Sequence, residues 1–314
     1  MRPFLFAGRG LATRAAAAAA PGVLAVFLAF PSTAQNPAPE GGWDPVDRIL
    51  EQVGKDLPGG VRKYSWPRTD MHVVMHGVAL EPALALGSWA AFQATGNGDE
   101  TTAVGDLVLL GAEVNPVVAE LHANGIEISA IHNHLIEETP RVSYVHFHAR
   151  GEAAALARGI RATLNKTRTP TGAGASRLGP TPAEAQPSVF QTIQNVLGRR
   201  GAFSGRVLQI GVARAGAVQD SGMELPPSMG AATTLNFQAA GARVATSGDF
   251  VLLADEVNPV IRELQAGGIS VTALHSHMMR EEPRLFFLHF WGVGPAEKIA
   301  ETLRAALART ASRP

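Results

Sequence analysis

Seven of the chain's ten histidines fall in two short segments, HNHLIEETPRVSYVHFHARG from His132 and HSHMMREEPRLFFLHFWGVG from His275. Each segment holds an H-x-H pair, an acidic loop, a Pro-Arg step and a further histidine inside an apolar run. One interval separates His132 from His275, His134 from His277 and His146 from His289. Side chains alternate faces along a strand, so His132 and His134 project together, as do His146 and His148. A hairpin centred on Glu138–Thr139 sets His132 opposite His146, with directly opposed Cβ atoms roughly 4.5–5.5 Å apart. The same register sets His275 opposite His289. Three imidazoles then converge in each copy, with Glu138 or Glu281 as the carboxylate beside them.

Neutral imidazole with carboxylate and no thiolate suits a divalent metal such as Zn, Mn, Fe or Ni. The chain has no cysteine, so thiolate ligands, thiolate nucleophiles and disulfides are excluded. Two other readings of the histidines stay open: a site for an organic ligand or anion, and structural hydrogen bonding. Each copy is expected to hold its own site. The second is expected to be the better, with His275, His277, His289 and Glu281, because Trp291 stands where the first copy has His148 and can wall a pocket. In the first copy the corresponding set is His132, His134, His146 and Glu138. Arg141 and Arg284, each after a proline, can grip a ligand carboxylate or phosphate or simply pair with the loop glutamates. His72 and His76 have no counterpart in the second half. No nucleophile elbow or phosphate-cradling glycine loop occurs, so no catalytic residue is assigned.

The elements that position these residues repeat as well. Asn115-Pro116 and Asn258-Pro259 predict helix starts, and Gly125-Ile126 and Gly268-Ile269 predict left-handed helix ends. Strands are expected at Val61–Trp66, His72–Val78, Ser88–Ala94, Asp106–Leu110, Glu127–Leu135 and Val142–Ala149, then a helix over Glu152–Leu164. After a Pro/Gly-rich linker the order recurs, and between Gly105 and Gly151 about half the positions match the second copy without a gap. The expected fold is α+β: two tandem copies of a domain with a mainly antiparallel sheet flanked by two or three helices, related by a pseudo-twofold axis. The expected division is a signal peptide over 1–34, a linker over 35–43, a first repeat over 44–166, a linker over 167–186 and a second repeat over 187–314.

At 314 residues each half can bury its own core. Lys+Arg and Asp+Glu balance at 27 each, which gives no global field to attract nucleic acid. Arg2, Arg9 and Arg14 precede an Ala-rich apolar run ending Ser32-Thr33-Ala34, the pattern of an export signal cleaved before Gln35. The expected location is periplasmic or secreted. Without an acylatable cysteine, no stable membrane anchor is expected after cleavage.

GDFVLLADEVNPVIRELQAGGISVTALHSHMMREEPRLFFLHFWGVG from Gly248, its first copy from Gly105, and the Gly87–Gln93 segment GSWAAFQ together resemble the LppY/LpqO family of bacterial cell-envelope proteins. The likeness covers nearly all of the mature chain. It implies export and assigns no activity. The H-x-H-x3-E order is also shared with cupin barrels, but the capped helix before it and the long helix after it do not suit a strand-only barrel. The expected function is therefore an exported protein that binds a divalent metal or small ligand through the repeated histidines. A metal-dependent hydrolase or isomerase with a loop glutamate as general base is the first alternative, and a structural envelope protein without a site is the second.

Overall fold

The structure is a computed structural model that describes residues 38–39, 42–96, 100–172 and 187–313. The expected signal peptide and most of the 167–186 linker lie outside the described residues. The described residues belong to one compact unit, Ala34–Pro314. None of their helices is long and apolar enough to cross a membrane.

The first repeat runs α1 (Asp44–Ile49), β1 (Lys55–Leu57), β2 (Val61–Pro67), β3 (Val74–Met75), β4 (Val78–Ala79), α2 (Pro82–Ala85), β5 (Gly87–Ala94), β6 (Glu100–Leu110), α3 (Gly111–Ala123), β7 (Glu127–His132), β8 (Val142–Glu152) and α4 (Ala153–Leu164). The second runs α5 (Val189–Leu197), β9 (Ala202–Ser204), β10 (Val207–Ala213), β11 (Gln219–Asp220), β12 (Met223–Glu224), β13 (Ala232–Ala240), β14 (Arg243–Leu252), α6 (Ala254–Ala266), β15 (Ser270–His275), β16 (Glu281–Glu282), β17 (Phe286–Gly294) and α7 (Ala296–Leu307). Each repeat builds a six-stranded sheet in the same order, β1-β2-β5-β6-β8-β7 and β9-β10-β13-β14-β17-β15. Every neighbouring pair is antiparallel. The fold is α+β and duplicated, as the repeat in the sequence implies.

Strand alternation explains how the two sheets meet. On β8, Val145 and Phe147 enter a core with the helices of the first repeat; on β17, Leu288 and Phe290 do the same in the second. The opposite faces are also apolar, so neither can be left to water. Their residues form two clusters that mix the repeats: Tyr144 and Val108 with Ala245 and Trp291, and Ala91 and Val104 with Val251 and Phe287. The sheets therefore pack face to face, with the longer helices outside. Each fully buried side chain of this size contributes roughly 1.5–3 kcal/mol, so the shared face is a substantial part of the stability.

Each repeat also sends an arm onto the other's sheet. Gln209, Asn236 and Gln238 donate to the carbonyls of Ala83, Leu84 and Ala79 at 3.0, 3.1 and 2.8 Å. In the reverse direction, Lys63 donates to the carbonyl of Ser228 at 3.3 Å.

Three local expectations are corrected. Residues His72–Val78 are not one strand: β3 and β4 make a short hairpin that turns at His76 and Gly77, with φ of 49° and 77°. Two successive positive φ values suit the tight turn of a twisted hairpin. The helices α3 and α6 start at Gly111 and Ala254, so Pro116 and Pro259 lie inside them. Their starts are fixed instead by Glu113 and Glu256, which accept the N–H of Leu110 and Leu253 at 2.8 and 2.7 Å. Each of these carboxylates is in turn held by a buried arginine, Arg68 at 2.8 Å and Arg214 at 2.6 Å. That anchoring outweighs the main-chain hydrogen bond each proline forgoes. Finally, β7 and β8 are antiparallel as expected, but His132 lies opposite Tyr144 and Ala130 opposite His146; His275 lies opposite Phe287 and Ala273 opposite His289. The turn is centred one residue earlier, because Thr139 exchanges main-chain hydrogen bonds with Val74. A two-residue slip keeps every histidine on the same face.

Candidate metal centre

The structure brings the two expected histidine sets together. All six histidines meet in one cluster between the sheets, because their strand faces are the faces the repeats press together. His132 stacks on His275 with ring centroids 3.7 Å apart, His134 on His289 at 3.8 Å, and His146 faces His277 at 3.8 Å. The distances follow a pseudo-twofold axis. The pair His132–His134 and its counterpart His275–His277 are both at 4.9 Å, while His132–His146 and His275–His289 are at 4.7 and 5.0 Å.

The backbone sets the nitrogens. His146 Nδ1 donates to the carbonyl of Gly105 at 3.4 Å, and His289 Nδ1 to that of Gly248 at 3.1 Å. A carbonyl only accepts, so in both rings the proton sits on Nδ1 and the Nε2 lone pair is left free. Both glycines are needed for a close approach: a Cβ at Gly105 would lie 2.4 Å from the Trp89 carbonyl, and one at Gly248 1.9 Å from the Thr234 carbonyl. Among the described residues, both nitrogens of His132 and of His275, and Nε2 of His134, His146, His277 and His289, are buried without a hydrogen-bond partner. Buried polar atoms are nearly always paired, so orphans gathered in one place call for a ligand.

Two sets have ligand atoms within 4.8 Å of one another: His132 with His275, His277 and His289, and His132 with His134 and His146. Burial pushes His146 down to about 3 and His275 to about 4. Burial, with neighbouring imidazoles adding to it, holds His132, His134, His277 and His289 well below the ordinary histidine value. The rings are thus neutral at neutral pH, the form that binds a metal. The donor set fits a borderline divalent ion.

Aromatic rings and a pair of aspartates frame the cluster. Tyr144 stacks on His134 at 3.4 Å and Phe287 on His277 at 3.5 Å. Asp106 lies 3.6 Å from His134 Nε2 and 3.9 Å from His146 Nδ1. Burial raises its carboxyl well above the usual range, and the neighbouring Asp249 raises it further. Burial also pushes Asp249 up to about 7, against the hydrogen bonds from Thr234 that lower it. Lys63 is pushed down to about 8 by burial, against the attraction of Asp249 and Asp106. Asp106, Asp249 and Lys63 were not singled out from the sequence. The available signal was a carboxylate set in an apolar strand at the same place in both copies, GDLVLL and GDFVLL.

Other expected site residues lie elsewhere. Glu138 and Glu281 fall outside both nitrogen groups; each is buried and accepts a loop N–H, from Val142 and Leu285, at 3.0 Å. Arg284 pairs with Glu281 at 3.2 Å, and Arg141 is exposed. Trp291 does not wall the cluster but packs among Val73, Met75 and Ala245. His148 leaves the cluster to pair with Asp220 of the other repeat at 2.9 Å. Two surface clefts of about 410 and 400 Å³, lined by residues such as Ile126, Glu127, Arg150 and Arg280, include none of the six histidines.

A tandem pair of antiparallel α+β domains sharing one histidine cluster is the class this fold and site define. The chain belongs to the family described as Domain of Unknown Function (DUF1259), which matches residues 44–166 and again 191–309. No curated protein matches it. A solved structure, EtuB from Clostridium kluyveri, aligns over 82% of this chain and 91% of its own at 10% identity, but with a TM-score of 0.18 it bears on neither fold nor function.

Proposed function

We propose that this chain is an exported protein that binds divalent transition metal in a single all-imidazole centre built by both repeats. The observation that carries this reading is the gathering of unpartnered, buried imidazole nitrogens from His132, His134, His146, His275, His277 and His289. A purely structural role would leave those nitrogens paired with protein groups. Binding is favoured over hydrolysis because Glu138 and Glu281, the carboxylates expected to act as base, lie outside both groups of histidine nitrogens and each accept a main-chain N–H, from Val142 and Leu285. A metal-activated water needs a base beside it. Export is supported by the Arg-led apolar segment before Gln35 and by the resemblance to the LppY/LpqO family.

Elemental analysis of untagged protein purified from its native host tests the reading. Bound Zn, Mn, Fe or Ni is expected, and should be lost when His132 and His275 are both replaced by Ala. Metal-free protein that also fails to take up any of these ions would return the histidines to a structural role. Mass spectrometry of the same sample should find a mature chain starting near Gln35.

A further inference from the structure

The six imidazoles divide by repeat into two triangles. In the first, His132 lies 4.9 Å from His134 and 4.7 Å from His146. In the second, the sides are 4.9, 5.0 and 6.4 Å. Between the triangles each ring meets one partner, at 3.7, 3.8 and 3.8 Å.

These two scales distinguish one ion from two. Three imidazoles around a single ion, with metal–nitrogen bonds of about 2.0–2.1 Å, put their ring centroids roughly 5.5 Å apart. Six around one ion at the same bond length would bring neighbouring centroids to roughly 4.5 Å without face-to-face contacts. The sides within the triangles run from 4.7 to 6.4 Å, whereas the contacts across them, at 3.7–3.8 Å, are closer than neighbours around one ion would be, with two of these ring pairs stacked and His146–His277 tilted. Two stacked triangles, each able to enclose an ion, set the ions at the separation of the triangles, which matches the roughly 3.5–4 Å of two-metal sites. We propose that the centre is dinuclear, with one divalent ion held by His132, His134 and His146 and a second by His275, His277 and His289. His132, with two unpartnered nitrogens, reaches into both groups and is the contact between them. Imidazole-only donors suit Zn, Cu, Ni or Fe.

This inference rests on the metal-binding reading and is separable from it by stoichiometry. Metal-free mature protein would be titrated with zinc alone and weighed by native mass spectrometry, beside His134→Ala and His277→Ala. Two zinc ions per chain are expected in the parent and one in each variant. One ion in the parent would overturn the dinuclear centre and leave metal binding standing, whereas no ion would overturn both. Two ions retained in both variants would show that the ions lie elsewhere. Because a variant can fail to fold, the parent loaded with two equivalents of copper(II) gives an independent readout. Two copper(II) spins this close couple through their dipoles, so the electron paramagnetic resonance spectrum should be broadened and split and should show a half-field transition. A full, uncoupled two-spin signal would overturn the proposal.

Discussion

The two repeats are alike where they meet and unlike immediately around that meeting point. Both bring three histidines, an aspartate and a glycine carbonyl to the centre. Opposite Asp249 the second repeat has Thr234, whose hydroxyl helps to hold the carboxyl; opposite Asp106 the first has Trp89, which offers no such group. Lys63 lies over that Trp89 ring at 3.9 Å and attracts Asp106 of its own repeat and Asp249 of the other. Where the first repeat has Tyr144 with its hydroxyl donated to the Ala85 carbonyl at 2.9 Å, the second has Phe287. His148 contacts Asp220 across the repeats at 2.9 Å, while Trp291 at the matching position is core. The difference separates the features a shared centre needs twice from those it needs once.

Acid should have the largest effect, because it acts on the histidines of both repeats at once. The histidines titrate near 6.5 when unfolded and far lower when folded, so the unfolded chain binds more protons as pH falls below about 6.5. Stability is therefore lost on acidification from about 6.5 towards the folded values near 3 to 4. Asp106 and Asp249 oppose this, because their raised folded pKa values favour the fold as pH falls. Lys63 is charged in both states across this window. Six histidines against two carboxyls leave a net uptake of up to about four protons on unfolding. Urea midpoints of metal-free protein measured from pH 7 to 4.5 should fall steeply, and bound metal should move that fall to lower pH. A flat profile would mean that the cluster is not buried as described.

The buried ion pairs come next. Arg68→Ala and Arg214→Ala each strand a glutamate that fixes a helix start, and each should cost roughly 3–5 kcal/mol in urea unfolding. Similar losses would show that the repeats bear load equally, whereas a silent change in one would make that repeat dispensable to the fold. A smaller change sharpens the comparison at the centre. Tyr144→Phe makes the first repeat match the second, and should cost about 0.5–1.5 kcal/mol through the lost hydrogen bond without altering metal stoichiometry. Changed stoichiometry would give the tyrosine a direct part in the site. Smallest of all, Arg280→Ala removes an exposed, solvent-screened pair with Glu127 and should leave the urea midpoint essentially unchanged.

The duplication, the antiparallel sheets and the candidate histidines were legible because each leaves a local mark: a constant interval, alternation along a strand, an H-x-H pair. That the histidines of both copies form one site was not legible. It depends on which sheet faces meet, and β8 is buried on both faces, with Val142 and Tyr144 beside the histidines on one and Val145 and Phe147 on the other, so its pattern does not say which one packs on helices and which on the partner sheet. The Asn-Pro pairs misled for a related reason. Their capping signal is real in isolation, but Arg68 and Arg214, distant in sequence, fix Glu113 and Glu256 and so start the helices earlier. Asp106 and Asp249 were hidden because a carboxylate in an apolar strand becomes meaningful only once the opposite sheet closes over it.

The most direct test is anomalous diffraction from crystals of the metal-loaded protein, collected at the absorption edge of the bound ion. The expected result is metal density between the two sheets, with imidazole nitrogens from His132, His134 and His146 and from His275, His277 and His289 around one continuous centre. Anomalous density away from all six histidines, or metal held by the histidines of one repeat with those of the other left outside the centre, would contradict it.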